Sequence, residues 1–111
     1  MERDNQLYEF TMKVSRGEGC DLPIEMRGAY VPCYASAADY QAAVKKGVMA
    51  VTGMHYVFED IQGEVREIPF DVWSEYVGKT WPEFLDHLPS QEEVLDVVKK
   101  GEVFFGPFAG F

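Results

Sequence analysis

The sequence predicts an α+β fold in one domain, 1–111. We expect a mostly antiparallel sheet of about four to five strands, with one long helix and a C-terminal group of short helices packed on it. The chain has 111 residues, of which 47% are hydrophobic and 26% charged, as is typical of a globular domain. Its N-terminal part alternates apolar and polar residues, which indicates strands, whereas later segments repeat apolar residues at helical spacing.

Two strands are predicted before the first helix. Leu7–Ser15 places apolar residues on one side and polar residues on the other, which is the period of a half-buried strand. The glycine-containing stretch 16–21 predicts a loop. A second extended segment covers about Ile24–Tyr34. Because Pro32 lacks a backbone donor, we expect an edge strand or an irregular end there.

One long amphipathic helix is predicted from about Ala37 to Thr52. Ser36 followed three residues later by Asp39 is a weaker form of the capping box and marks its start. Gly47 lies in its middle, where glycine costs about 1 kcal/mol relative to alanine. We therefore expect close packing against a neighbouring backbone to require this glycine.

The segment after this helix predicts a β-hairpin. Met54–Ile61 and Glu64–Phe70 flank Gln62-Gly63, a two-residue connection whose glycine can take a positive φ. The hairpin would add two strands to the sheet.

Three short helices and a closing strand complete the predicted order, β β α β β α α α β. The helices cover about Val72–Val77, Trp81–Leu88 and Gln91–Lys100, and the last two open with capping boxes. The strand covers about Glu102–Phe105. We expect the helices to cover one face of an antiparallel sheet.

The net charge of −9 is distributed unevenly along the chain. Residues 1–53 carry seven acidic and six basic residues, a net charge of −1, whereas residues 54–111 carry twelve and four, a net charge of −8. Nucleic-acid binding depends on Lys and Arg that neutralise phosphates, so we expect no nucleic acid as the primary partner.

The predicted C-terminal helices could present one continuous acidic surface to a basic partner. Solubility and favourable charge at helix starts are the other explanation for these residues. The candidate partner-binding acids are Asp71, Glu75, Glu83, Asp86, Glu92, Glu93 and Asp96.

The last eight residues are free of charge and rich in phenylalanine. Chain ends are usually polar, so we expect this segment either to fold back on its own core or to dock on a second copy of the chain. The candidate partner-binding aromatics are Phe104, Phe105, Phe108 and Phe111.

No catalytic or cofactor motif is present. The sequence lacks the phosphate-loop, dinucleotide-binding, nucleophile-elbow and zincin patterns, and Cys20 and Cys33 fit neither a zinc site nor a redox motif. We expect no catalytic residue, no metal and no cofactor. A metal-binding module would rest only on the acids of the predicted hairpin, Glu59, Asp60, Glu64 and Glu67.

Aromatic residues offer an alternative to an interaction protein, namely a small-molecule site or small enzyme with an aromatic-lined pocket. In a separate hypothesis, His55 would approach Cys33 if their strands paired. The candidate ligand-binding residues are Tyr30, Tyr34, His55, Tyr56, Glu59, Trp73 and Trp81.

These observations favour a non-catalytic interaction protein over an enzyme. We expect a homo-oligomer, most simply a dimer, and an inhibitor or immunity-type protein with a basic protein partner. No apolar run approaches the roughly 18–20 residues that cross a bilayer, and residues 1–6 lack a secretory-signal pattern. We therefore expect a cytoplasmic protein with no membrane partner.

Overall fold

The computed structural model describes residues 5–111. The N-terminal segment that lacks a signal pattern includes residues 1–4, which lie outside the described residues. The strands are β1 (Gln6–Arg16), β2 (Gly28–Ala37), β3 (Tyr56–Ile68), β4 (Val103–Phe105) and β5 (Ala109–Gly110). The α-helices are α1 (Tyr40–Gly53), α2 (Trp73–Thr80) and α3 (Gln91–Lys100), and single 3-10 turns cover Phe70–Val72 and Leu85–His87.

The predicted α+β class is confirmed, with five strands in one antiparallel sheet. The strand order is β3-β1-β2-β4, and β5 also pairs with β2. β1 and β2 form the centre and pair along nearly their whole length, from Gln6 with Ala37 to Ser15 with Gly28.

Helix α1 covers one face of the sheet, which we call the α1 face. Alternate residues of β1, including Phe10 and Met12, and of β2, including Val31 and Cys33, are fully buried in this core. Gly47 of α1 lies directly on them, because a Cβ built there would come within 2.7 Å of Phe10 Cζ and 2.9 Å of Cys33 Sγ. The close approach expected of Gly47 is therefore made to side chains.

The opposite face is covered by α2, α3 and the two 3-10 turns, and we call it the α3 face. Its core includes Leu7 and Tyr34 from the sheet and Trp73, Val94 and Val98 from the helices. Our expectation that helices would cover one face only is wrong. The reason lies in β2, which is apolar on both sides: Cys33 and Ala35 face α1, whereas Tyr34 faces the other helices.

The predicted hairpin at Gln62-Gly63 is wrong. Gly63 does have a positive φ of 78°, but it lies inside the continuous strand β3. Both halves of β3 pair with β1, as Thr11 does with Gln62 and Glu9 with Arg66, so the extra residues form an irregular bulge. A glycine with positive φ serves a bulge as well as a turn, so local sequence does not distinguish the two.

Three predicted helices have different limits. The helix predicted at Val72–Val77 is α2, which begins at Trp73 and continues through Gly78 to Thr80. α1 begins at Tyr40, because the side chain of Asp39 caps it by accepting a hydrogen bond from Ala42 N at 2.8 Å, and residues up to Ala37 belong to β2. The predicted helix Trp81–Leu88 is only the 3-10 turn Leu85–His87. Its predicted capping residue, Thr80, is the last residue of α2.

Helix α3 has the predicted bounds and the predicted capping box. Ser90 Oγ accepts from Glu93 N at 3.2 Å, Glu93 Oε1 accepts from Ser90 N at 2.9 Å, and Gly101 closes the helix at a positive φ of 69°. Strand β5 was not predicted. β4 and β5 pair with the same edge of β2, and Pro32 lies opposite the gap between them. The carbonyl of Pro32 accepts a hydrogen bond from Gly106 N at 2.8 Å across this gap.

The absent N–H of Pro32 costs no hydrogen bond between β1 and β2. The carbonyl and the nitrogen of one residue point to the same side of an antiparallel strand, so the nitrogen of Pro32 also points towards the gap between β4 and β5. Pro32 therefore lies inside β2 and not at an irregular end.

Candidate interaction surface

The two α-helices and two 3-10 turns on the α3 face form what we call the helical layer, residues 70–100. This layer carries seven acidic and three basic side chains, a net charge of −4. All seven predicted partner-binding acids are in it, and all are exposed: Asp71, Glu75, Glu83, Asp86, Glu92, Glu93 and Asp96.

Little in the described part of the chain neutralises these carboxylates. Among residues 5–111, the ion pairs join Arg66 to Glu9 at 3.0 Å and Lys100 to Asp96 at 2.9 Å. Within residues 5–111, Asp96 is thus the one acid of the helical layer in an ion pair, and it raises the pKa of Lys100. Hydrogen bonds from Ser90 lower the pKa of Glu93, which keeps this carboxylate charged.

Favourable positions at helix starts explain some of the acidic residues of the helical layer but not all of them. Glu75 lies in the first turn of α2, and Glu92 and Glu93 lie in the first turn of α3, where the helix dipole favours negative charge. Glu83 and Asp86 lie in the connection between these helices. No α-helix dipole favours the charges of these two residues. They make the surface more negative, and helix stability does not explain them.

A groove of about 350 Å3 opens within the helical layer, between α2, the second 3-10 turn and the start of α3. We call it the helical groove. Its apolar side is formed by Trp73, Val77, Leu85, Leu88 and Pro89. Its polar side is formed by Ser74, Asp86, Ser90, Gln91 and Glu93. Two of the predicted partner-binding acids therefore lie beside an apolar surface.

Hydrogen bonds fix the walls of the helical groove. Gln91 joins both sides, since its Oε1 accepts from Ser74 N at 3.0 Å and its Nε2 donates to Phe70 O at 2.6 Å. Trp73 Nε1 donates to Pro89 O at 2.8 Å. These contacts hold α2 against the start of α3, so the groove is formed without a ligand.

A second polar arrangement lies deeper on the α3 face. Arg66 Nη2 donates to both carboxylate oxygens of Glu9 at 3.0 Å, and Tyr76 OH donates to Glu9 Oε2 at 2.5 Å. Tyr34 OH lies 2.9 Å from Tyr76 OH and accepts from Trp81 Nε1 at 2.7 Å. This chain of hydrogen bonds connects the sheet to α2 and ends on the Glu9 carboxylate.

Within this chain of hydrogen bonds, the environment favours the neutral form of the two tyrosines, which lie beside the ion pair of Glu9 and Arg66. Burial, and next the hydrogen bond to Glu9, raises the pKa of Tyr76. Burial also raises the pKa of Tyr34, and the hydrogen bond to Glu9 raises the pKa of Arg66. The side chain of Glu9 is only 13% exposed, whereas that of Arg66 is 61% exposed.

Glu9 and Arg66 also line a shallow groove of about 320 Å3 beside the bulge of β3. We call it the strand groove. Its other lining residues are Thr11, Gln62, Gly63 and Glu64. Glu9, Tyr76 and Arg66 are not among the functional residues that the sequence predicts. Glu9 lies on the polar side of an alternating strand, and no local signal marks it as buried.

The predicted aromatic ligand site is distributed over separate regions. Tyr34 and Trp73 are fully buried and pack edge to face, with ring centroids 5.2 Å apart, and Trp81 joins them through its hydrogen bond to Tyr34. Tyr30 instead packs on Phe111, with centroids 5.2 Å apart.

The remaining predicted ligand residues lie around the start of β3. Tyr56 is buried and donates a hydrogen bond to Asp21, and burial first, then this bond, raises its pKa to about 12. His55 is exposed, and Glu59 accepts from Ser15 Oγ at 2.6 Å. The hypothesis of a contact between His55 and Cys33 is wrong, because His55 directly precedes β3, and β1 lies between β3 and the strand of Cys33, β2.

The phenylalanine-rich segment folds back on the chain's own sheet. Phe104 stacks on Tyr34 with centroids 5.0 Å apart, and Phe105 packs against the core of the α1 face. Phe108 and Phe111 remain partly exposed, at 37% and 43%. Lys13 Nζ lies 5.7 Å from the centre of the Phe111 ring.

The described residues also bear on metal binding and on membrane insertion. Residues 5–111 contain no group of three or more His, Cys, Asp or Glu side chains placed to hold a metal ion. Within the same range, no helix combines the length and the hydropathy needed to cross a bilayer.

The fold and its sites therefore define an α+β protein with an acidic helical layer on one face of its sheet. Comparison with protein-family models, with curated proteins and with solved structures gave no match.

Proposed function

We propose that the protein is a non-catalytic interaction protein, of the inhibitor or immunity type, whose helical layer binds a basic partner protein. One observation carries this proposal: seven carboxylates are exposed on that layer, and among the described residues only Asp96 is held in an ion pair. Like charges on one surface attract an oppositely charged partner and speed its encounter.

The cost of this arrangement also supports the proposal. Unneutralised like charges repel one another and oppose folding of the layer that carries them. Glu83 and Asp86 add such repulsion outside the α-helices, where no dipole compensates it. A basic partner would neutralise these charges when it binds.

Affinity capture from a lysate of the source organism tests the proposal, with the chain immobilised and the salt concentration varied. The layer variant combines Glu75→Gln, Glu83→Gln and Glu92→Gln, whose side chains are all exposed. We expect the wild-type chain to retain a basic protein at low salt and to release it at high salt. The layer variant should lose this protein.

A matched variant controls for net charge. Glu18→Gln, Glu25→Gln and Glu67→Gln remove the same number of exposed carboxylates outside the helical layer. This variant should retain the basic protein as the wild type does. Equal loss by both variants, or recovery of no basic protein by the wild-type chain, would contradict the proposal.

We also propose that the protein acts as a homo-oligomer, most simply a dimer. Exposed aromatic side chains near β5 support this part of the proposal, namely Tyr30, Phe108 and Phe111. Light scattering on the eluting peak of a size-exclusion column should give twice the mass of the 12.6 kDa chain. The mass of a monomer would overturn the proposed homo-oligomer and would not affect the proposal that the helical layer binds a basic partner.

A second candidate function is the binding of a small molecule at the strand groove. Its support is the nearly buried Glu9 carboxylate, which lies at the end of the hydrogen-bond chain and lines that groove. Buried polar groups that converge on a cavity are typical of ligand sites. Native mass spectrometry of gently purified protein should then show a bound small molecule, and a spectrum of the bare chain alone would count against this function.

A further inference from the structure

The helical groove combines an apolar side with exposed charge. Trp73 forms its fully buried floor, and Leu85 stands at its rim with 52% of its surface exposed. A leucine in contact with water at a groove gains free energy when another apolar side chain covers it. The volume of about 350 Å3 provides room for one or two side chains of a partner.

The polar side of the groove selects the charge of an occupant. Asp86 and Glu93 bring two carboxylates to the lining, which contains neither Lys nor Arg. Gln91 is already engaged with Ser74 N and Phe70 O, and Trp73 Nε1 with Pro89 O. Glu93 Oε1 accepts from Ser90 N in the capping box, but within residues 5–111 no ion pair neutralises the charge of Glu93 or of Asp86. These two carboxylates are the charged groups that the lining presents to a ligand.

We propose that the helical groove binds a short cationic segment of a partner protein. One apolar side chain of this segment packs on Leu85 and Val77, and flanking Lys or Arg side chains contact Asp86 and Glu93. This inference rests on the proposed function, because it assigns the basic partner a place within the helical layer. Charge complementarity excludes an acidic segment, and the apolar rim distinguishes the groove from the remaining acidic surface.

Three synthetic peptides test the chemistry of the occupant. The first carries leucine between two lysines within a glycine and serine background; the second has alanine in place of leucine, and the third has glutamate in place of both lysines. We expect the first peptide to shift the backbone amide resonances of Ser74, Leu85 and Gln91 in the ¹⁵N-labelled chain. The alanine peptide should bind about tenfold more weakly, since it lacks most of the apolar contact, and the glutamate peptide should not bind.

Two pairs of variants test the place of binding. Leu85→Gln and Asp86→Asn should each weaken binding of the leucine peptide several-fold. Their controls are Leu95→Gln and Glu92→Gln, which change an exposed leucine and an exposed carboxylate of α3 outside the groove lining. Both controls should bind as the wild type does. All four residues are exposed, so the variants are expected to remain folded, and their circular dichroism checks this.

The outcomes separate the groove from the acidic surface as a whole. If the alanine peptide binds as well as the leucine peptide, and Glu92→Gln weakens binding as much as Asp86→Asn, the contact is diffuse electrostatics. The groove proposal is then overturned, and the proposed function stands. If neither lysine peptide binds even at low salt, the groove proposal fails, and capture of the basic partner by the full chain decides the proposed function separately.

Discussion

His55 has a positive φ of 70°, the only such value at a non-glycine residue in the described part of the chain. It follows the end of α1, where a left-handed residue commonly stops a helix and is usually glycine. A side chain with Cβ is strained in this conformation.

We therefore predict that His55→Gly stabilises the protein by about 0.5–1 kcal/mol. The free energy of unfolding from urea titrations measures this change. Met54 has a negative φ of −91°, so Met54→Gly is the control and should destabilise the chain. A lower stability of His55→Gly would mean that the imidazole makes a contribution larger than the backbone strain.

Gly47 gives a second prediction at the residue scale. Alanine is the better helix former, but its Cβ would lie 2.7 Å from Phe10 Cζ in a filled core. We expect Gly47→Ala to lower the free energy of unfolding by about 1–3 kcal/mol, as overpacking does. Gly78 of α2 has no neighbouring atom within 4 Å of a built Cβ, so Gly78→Ala should instead stabilise the chain. Equal effects of both substitutions would refute the packing explanation.

At the scale of elements, the hydrogen bonds of Glu9 join α2 to the sheet. Tyr76→Phe removes the 2.5 Å hydrogen bond to the Glu9 carboxylate and also the contact with Tyr34 OH. We expect a loss of about 1.5–3 kcal/mol in the free energy of unfolding, the range for hydrogen bonds to charged groups. The exposed Tyr40 lies far along the chain on α1, and Tyr40→Phe should change stability little. If Tyr76→Phe left the free energy of unfolding unchanged, this chain of hydrogen bonds would not stabilise the attachment of α2 to the sheet.

Alkaline pH tests the burial and hydrogen bonding of three tyrosines, two in the hydrogen-bond chain at Glu9 and one, Tyr56, bonded to Asp21. The pKa values of Tyr34, Tyr56 and Tyr76 are raised from the ordinary value of 10.0, for Tyr56 to about 12. The unfolded chain then releases these protons before the folded chain does. Stability is therefore unaffected by these groups below pH ~10 and falls as the pH rises above it.

Urea titrations across this pH range should give a falling free energy of unfolding, with a smaller slope for Tyr56→Phe. Absorbance of tyrosinate in the folded protein should show Tyr56 titrating near its raised pKa of about 12. A free energy that does not fall above the ordinary pKa of tyrosine would contradict the burial and hydrogen bonding of these side chains.

The elements differ in how far local sequence determines them. Helix α3 could be predicted to the residue because Ser90, Glu93 and Gly101 fix both its ends within the chain itself. The Gln62-Gly63 pair could not be assigned, because a turn and a bulge need the same φ, and only pairing with β1 decides between them. The capping pattern at Thr80 likewise starts no helix, because tertiary contacts determine this segment: Thr80 ends α2, and Trp81 donates a hydrogen bond to Tyr34.

At the scale of the molecule, the acidic surface could be predicted more fully than the other sites. Helical spacing and high charge were enough to expect its seven carboxylates on the outside, because charged residues are rarely buried without partners. The chain of hydrogen bonds at Glu9 could not be predicted, since it joins residues up to 67 positions apart. The helical groove likewise depends on how α2 meets α3, which no local pattern specifies.

The central claim is that the helical layer, residues 70–100, is the surface that meets a basic partner. The most direct measurement is an NMR titration of the ¹⁵N-labelled full chain with an oligolysine peptide at low and at high salt. We predict amide shifts concentrated in the helical layer, which disappear as salt screens the charges. Shifts of equal or greater size along the acidic strand β3, at Glu59, Asp60, Glu64 and Glu67, would contradict the claim.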